Sequence, residues 1–297
     1  MRYAVAHGRR AGRGGAAELG ARAVTRLRAT GHEVVEVTAG TLEEARAACG
    51  ALVADGVDVL AVAGGDGIVS LATDLCAGTG TAVAVLPAGT GNDAARALGI
   101  PLRPEGSLEV LLHGAPRTLD TLHVPELDRS VLTNVLGALD ARIAHRATLL
   151  PRRLGPATYT VATLVEIARL PRQEPLHYRL AIDGESRDLD AYVVVAANLA
   201  FVGGGLQIAP DADPADGLLD LVVVRPVGPL DALRVLAAVR AGRHPELPEV
   251  DVVRAASVRI EGPGDVLAHG DGEPLGPLPL TVTVRPSSLQ VIAPPLA

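Results

Sequence analysis

Aromatic side chains make up only 2% of the 297 residues: four tyrosines, one phenylalanine and no tryptophan. Proteins that bind single-stranded nucleic acid stack bases on aromatic platforms, and this chain has too few rings to build one. Lysine is missing altogether, so arginine supplies all 27 cations. A Walker-type phosphate loop needs the lysine of GK[ST], and a Schiff-base enzyme needs a lysine amine; both are excluded. The 34 acids outnumber the cations, giving a net charge of −7 and a pI near 5.6. No overall basic field therefore draws the chain to nucleic acid. Cysteine is scarce as well. Cys49 and Cys76 lie far apart in helical stretches and form neither a CxxC nor a ligand cluster, which reads as two buried thiols in a reducing compartment. Apolar runs are about strand length and never reach the ~20 residues of a membrane span. The opening MRYAVAHGRRAGRGG turns polar after one short strand, so no secretory pattern is present. The expectation is a cytoplasmic protein, at most peripheral to a membrane.

What is abundant is material for a core: 48% apolar residues against 21% charged, with mean hydropathy +0.29. The length favours two domains. From residue 2 to about 113, short β-rich runs alternate with helical patterns. Strands are expected at 2–6, 32–37, 57–63 and 81–86, and helices at 15–30, 42–54, 67–77, 92–98 and 105–113. Thr41 and Glu44 form a capping box ahead of the second helix. The run VDVLAVA is apolar almost throughout, as in a strand buried on both faces of a parallel sheet. This order predicts a doubly wound α/β domain over 1–116. Beyond it come strand-like runs at 117–124, 130–137, 176–183, 189–197, 218–225, 252–260, 265–269, 280–285 and 288–292. Helical stretches at 157–170 and 229–241 interrupt them. The expectation there is a mainly antiparallel β sandwich over 117–286, with residues 287–297 returning to the first domain.

Two Gly-rich turns follow consecutive parallel strands. Gly64-Gly65-Asp66-Gly67 stands between a strand end and a helix start, where backbone N–H groups and the helix N-terminus suit a phosphate. Asp66 is tolerable there if Mg²⁺ bridges it to phosphate oxygens; otherwise the segment is a tight turn with Asp66 capping the helix. Leu86-Pro87-Ala88-Gly89-Thr90-Gly91-Asn92-Asp93 repeats the arrangement one strand later. In a parallel sheet both turns emerge at the carboxyl edge, the ligand-binding side of doubly wound folds.

These two turns resemble the catalytic domain of the diacylglycerol kinase and sphingosine kinase family, especially its bacterial lipid kinases. The second half is similar to the same family. Asn198, Gly203-Gly204-Gly205, Ile208-Ala209-Pro210 and Asp216-Gly217-Leu218-Leu219-Asp220 match in order, as do His269-Gly270-Asp271-Gly272-Glu273, Asp120, and Asn134 with Gly137 and Asp140. The resemblance implies an ATP-dependent, Mg²⁺-using lipid kinase of two domains with its active site in the cleft between them. By the same resemblance Gly64, Gly65, Asp66 and Gly67 with Gly89, Thr90, Gly91 and Asn92 hold the nucleotide, Asp66 adjoining Mg²⁺. Asp271 takes the proton of the acceptor hydroxyl with Glu273 beside it, and Asp120 joins an acidic network linking the domains. Asp216 and the backbone at Leu218 match a second, structural metal position. Read without the family, Asp271-Gly272 is a polar β-turn, since Asp-Gly is a common turn dipeptide.

The chain departs from the family where Ile68, Ser70 and Leu71 replace a hydroxyl and an acid after GGDG, and where Gly8-Arg9 stand in place of Asn-Pro. Three other readings therefore stay open: a kinase of a soluble hydroxyl acceptor of the NAD kinase type, a nucleotide-binding protein without turnover, and a dinucleotide oxidoreductase using Gly12, Gly14 and Ala17 with Glu36. The arginine-bearing stretch 142–172 is either a membrane-facing helix or an ordinary helix with arginines in solvent. Partners expected are a lipid or other small hydroxyl compound and no nucleic acid, with room for peripheral membrane contact. A strand edge of the second domain leaves room for a homodimer.

Overall fold

The computed structural model describes residues 1–8, 15–137 and 174–295, together with 149, 161, 162, 165 and 169. The chain divides into two compact units, Met1–Thr121 with Pro286–Ala297, and Leu122–Arg285.

The first unit runs β1 (Arg2–Gly8), α1 (Gly15–Ala29), β2 (Glu33–Ala39), α2 (Leu42–Ala54), β3 (Val59–Gly64), α3 (Asp66–Cys76), β4 (Ala82–Pro87), α4 (Asp93–Ala97) and α5 (Pro104–His113). The strand order is β2-β1-β3-β4, every pair parallel, and Val291 and Ile292 of the last strand (Leu280–Ala293) add to β4 in parallel. β3 and β4 are buried at every position, which explains their unbroken apolar sequence. Val59, Ala61, Ala63, Ala84 and Leu86 pack on Leu19, Ala23 and Leu27 of α1 and on Leu108 and Leu111 of α5. At the start of α2, Thr41 accepts the Glu44 N–H at 3.1 Å, and the Glu44 carboxylate accepts the Gly40 N–H at 2.7 Å. The reciprocal box thus closes one residue before the cap.

Cys49 on α2 and Cys76 on α3 are fully buried, and burial pushes their thiols up to about 11 and about 12. Only a thiolate attacks a disulfide reagent. In the native protein at mildly alkaline pH, Ellman's reagent should therefore react at least about 100-fold more slowly than in denaturant, where both thiols titrate. Rapid native labelling would show that α2 and α3 open.

The second unit is antiparallel. Its six-stranded sheet has the order Val250–Ala255, Leu219–Val224, Val193–Ala197, Asn134–Gly137, Leu267–Gly270, Glu273–Pro277. Opposite it, residues 280–283 pair with Ser257–Glu261, which pairs with Leu176–Ile182 and then Glu185–Ala191. Val135, Val194, Ala196 and Leu221 of one sheet meet Tyr178, Leu180, Val258 and Ile260 of the other in a single core. The outer face of the six-stranded sheet, with Val193, Val195 and Val222, is covered by Val235 and Val239 of α6 (Pro229–Arg240). An α/β unit with a mostly parallel sheet and an antiparallel β sandwich are what the sequence implied.

The differences lie inside the sandwich. The run 189–197 is two strands, Glu185–Ala191 in one sheet and Val193–Ala197 in the other, and 252–260 likewise divides into Val250–Ala255 and Ser257–Glu261. A single residue, Tyr192 or Ala256, carries the chain across with no polar turn to announce it. The run 130–137 divides into Arg129–Val131 and Asn134–Gly137, while 280–285 and 288–292 are one strand. Glu273–Pro277 is a strand the sequence did not suggest. Residues Gly12, Gly14 and Asp140 lie outside the described residues, and so do the 157–170 helix and the 142–172 stretch apart from the residues named above. Among the described residues no helix is long and apolar enough to cross a membrane.

Candidate active site

In the first unit, β1 lies between β2 and β3, so the sheet reverses its lateral direction there. The crevice outside the carboxyl ends of strands at such a point is where open α/β sheets bind ligands. The strand ends concerned are His7-Gly8 and Gly64-Gly65. The turn after β3 and the turn after β4 touch each other. A Cβ on Gly89 would lie 2.3 Å from the Gly65 Cα, and the Ala88 N–H donates to the Gly64 carbonyl at 2.8 Å. Only glycines permit this approach of one backbone to another.

Asp66 fastens the pair. One carboxylate oxygen accepts the Asn92 N–H at 3.0 Å and the other the Asp93 N–H at 2.9 Å, so Asp66 caps α4 rather than its own helix. Burial pushes the Asp66 carboxyl up from its ordinary value, against the opposing pull of those two N–H donors and of Arg96. Asn92 is left-handed at φ +53°, and its side chain closes the second turn through the Gly89 N–H at 3.0 Å and the Gly89 carbonyl at 2.9 Å. Thr90 is exposed at the tip and Gly91 packs against Asp66. The cap of α3 is Gly65, with no side-chain bond to the first turn. The N–H groups of that turn, Gly67 among them, therefore receive no side-chain acceptor from the cap residue.

These residues fit a nucleotide's phosphates: N–H donors at a helix start and a half-buried carboxylate that a phosphate-bound cation would relieve. Ser70 and Leu71 are 1% and 4% exposed and belong to the packed face of α3, while Ile68 lies over Gly64. The Glu36 carboxylate is engaged by His7 at 2.9 Å. Asp120 is buried and accepts the Ser287 N–H at 2.7 Å, beside a hydroxyl pair of Thr121 and Ser288 at 2.8 Å. It ties Ala115–Val124 to the last strand.

In the second unit, Asp271 and Gly272 form the two-residue turn between Leu267–Gly270 and Glu273–Pro277, with φ +53° and +81°. Left-handed geometry at both positions is the type I′ requirement that Asp-Gly meets well. The side chain points inward, 7% exposed, and accepts the Leu132 N–H at 3.0 Å, the Thr133 N–H at 2.7 Å and the Thr133 hydroxyl at 2.5 Å. The same two residues are held from the other side. Asn198 donates through its side chain to the Leu132 carbonyl at 2.9 Å and through its N–H to the Thr133 carbonyl at 2.8 Å. This double grip is why the run 130–137 breaks at 132–133. Asn134 donates to the Thr133 hydroxyl at 3.1 Å, and its side-chain oxygen is buried without a hydrogen-bond partner among the described residues. His269 is buried, and desolvation pushes its pKa down against the opposing charge of Glu273.

Asp271, Asn134 and Asn198 thus meet around one turn, and Glu273 opens the adjoining strand. Thr133 is the residue the sequence did not reveal; a threonine inside an apolar run reads as ordinary strand, and no local signal distinguishes it. Asp216 accepts the Leu218 N–H at 2.9 Å and pairs with the guanidinium of Arg254. Among the described residues no three His, Cys, Asp or Glu side chains are grouped to hold a metal. At Asp216 an arginine already balances the charge a cation would.

Comparison with known proteins follows the two units. Residues 2–124 match the family model described as "Diacylglycerol kinase catalytic domain", and residues 133–293 match "YegS C-terminal NAD kinase beta sandwich-like domain". A protein named "Diacylglycerol kinase" from Mycobacterium tuberculosis (strain ATCC 25618 / H37Rv) is 35% identical over 288 residues, covering 95% of this chain and 92% of that protein. A "Probable lipid kinase YegS-like" protein of Chromohalobacter salexigens is 30% identical over 283 residues, covering 92% of this chain and 88% of its own. Two solved structures from Bacillus anthracis str. Sterne align over 99% of this chain with TM-scores of 0.85 and 0.73, at 20% and 19% identity; they cover 95% and 97% of those chains, and the second is described as a diacylglycerol kinase. At such identity these two establish likeness of fold.

Proposed function

This chain belongs to the diacylglycerol kinase family, in the form that carries a YegS-type second domain, and from that premise we propose that it transfers the γ-phosphoryl group of ATP to a hydroxyl of a diacylglycerol-like lipid. The observation that carries the reading is the contact of the Gly65 and Gly89 turns, fastened by Asp66 at the carboxyl ends of adjacent parallel strands. Phosphoryl transfer asks for positioning and neutralised charge more than for covalent help. The first turn of α3 with Gly64, Gly65 and Gly67 receives phosphate oxygens, while Gly89, Thr90, Gly91 and Asn92 line the nucleotide. ATP with Mg²⁺ supplies the phosphoryl group and the counter-charge, Asp66 being the carboxylate offered to the cation. At the acceptor, the hydroxyl oxygen forms the new bond to phosphorus, the bond to the ADP oxygen breaks, and the hydroxyl proton passes to the Asp271 carboxylate. Glu273 stands two residues away, and Asp120 holds the last strand at the edge of the first unit.

Labelled ATP and Mg²⁺ offered with diacylglycerol, a sphingoid base, phosphatidylglycerol and NAD in parallel should label diacylglycerol. Label on NAD alone would move the chain to the soluble-acceptor reading. Calorimetric binding of ATP with no labelled product would make it a nucleotide-binding protein without turnover.

A further inference from the structure

We propose that the outer face of α6 is a docking surface for an anionic lipid bilayer. The inner face of this helix is accounted for, since Ala232, Val235 and Val239 are buried, the two valines against the six-stranded sheet. The outer face is not. Leu230 is 82% exposed and Leu233 54%, and both share one stripe with Arg234, Ala237 and Arg240 at helical spacing of three and four residues. Arg243 follows just beyond the helix end.

The charges on this stripe are unlike those elsewhere. Most exposed arginines of the second unit are matched to acids: Arg225 is bidentate to Asp251 with both bonds at 2.7 Å, and Arg254 pairs with Asp216. Arg234, Arg240 and Arg243 are exposed, and none forms an ion pair among the described residues. The acid on the helix, Asp231, sits in the first turn close to Gly228, where it favours the helix N-terminus rather than an arginine. Three unmatched cations beside two protruding leucines, in a chain of net charge −7, suit a negative surface that has an apolar layer beneath it. Leucines at the first turn enter the acyl boundary, and guanidinium groups further along meet headgroup phosphates, a geometry they take up in bidentate fashion. An anionic bilayer offers phosphates to the arginines and an apolar layer to the leucines at once. The surface rests on the lipid-acceptor reading for its purpose and not for its evidence.

Sedimentation with vesicles tests it. The wild-type chain should pellet with phosphatidylcholine–phosphatidylglycerol vesicles, weaken as salt rises, and ignore phosphatidylcholine alone. The pair Leu230→Glu and Leu233→Glu should lower partitioning at least about tenfold, and each of Arg234→Ala and Arg240→Ala about fivefold. All four positions are solvent-facing, so melting temperature and turnover on a monomeric short-chain diacylglycerol should stay at wild-type values, while turnover on vesicle-embedded acceptor falls with partitioning. Equal partitioning of wild type and variants overturns the proposal. So does a wild-type dimer that Leu233→Glu dissolves without any vesicle binding, which would give the face to a second copy of the chain. Wild-type binding to vesicles without phosphorylation of the short-chain lipid would leave the docking surface standing and remove the kinase reading instead.

Discussion

Asp271→Asn should lower kcat by about 10²–10⁴-fold, the usual contribution of a positioned general base, with little change in the KM for ATP. The substitution is mild for the backbone: after glycine, asparagine is among the residues best suited to the left-handed φ of +53° found here. It is less mild for the side chain. The carboxylate accepts three donors from Leu132 and Thr133, and an amide would turn its NH₂ toward one of them. Leaving a buried donor unmatched costs about 1–3 kcal/mol, so a lowered melting temperature is expected as well. Thr133→Val separates the two consequences. It removes the 2.5 Å hydroxyl bond and loosens the same turn while leaving the carboxylate in place. Because it also leaves the Asn134 amide without its acceptor, Thr133→Val should cost about 1–3 kcal/mol of stability and keep turnover within about tenfold of wild type. If it were as inactive as Asp271→Asn at equal stability, the loss would belong to the turn and not to the proton acceptor. An Asp271→Asn enzyme with wild-type kcat would send the search for the base elsewhere.

The contrast between these residues explains what could be read in advance. Gly65, Asp66 and Gly89 announce themselves because a backbone that must approach another backbone, or bend at a helix start, demands particular residues at particular spacings, and those demands are local. Asp271-Gly272 is legible as a turn for the same reason. That its carboxylate grips residues 138 and 139 positions earlier in the chain is not legible, because Leu132 and Thr133 contribute N–H groups, which every residue but proline carries. The central parallel strands β3 and β4 were plain from their continuous apolar runs. The sandwich was plain in class but blurred in detail, since Val193–Ala197 is covered on both faces and loses the alternation that marks a half-buried antiparallel strand. Tyr192 and Ala256, where strands change sheets, carry no turn chemistry at all. Asp216 was singled out by its neighbours in sequence, whereas its partner Arg254 lies 38 residues on, on the strand that pairs with Leu219–Val224, a proximity that the fold decides and composition does not.

Gly89→Ala should damage the nucleotide site more than a substitution of Thr90, at the tip of the same loop. The added Cβ would lie 2.3 Å from the Gly65 Cα and 3.2 Å from its nitrogen, and both are backbone atoms that cannot swing aside. The two turns would have to part, and the parting loads the bonds from Asp66 to the N–H groups of Asn92 and Asp93. Overpacking of this kind typically costs about 1–3 kcal/mol. A melting temperature lower by several degrees is expected, together with at least about tenfold weaker ATP binding, equivalent to about 1.4 kcal/mol. Gly80→Ala is the matched control. It lies in the connection to β4, has no heavy atom within 4 Å of the position its Cβ would take, and should fall within about 0.5 kcal/mol of wild type. Calorimetric titration of both variants with ATP and Mg²⁺ decides the point. If Gly89→Ala loses stability but binds ATP as the wild type does, the contact between the turns is architecture alone and the phosphates are held elsewhere. If affinity falls and Gly80→Ala is unchanged, the closeness of the two turns is itself what shapes the anion site.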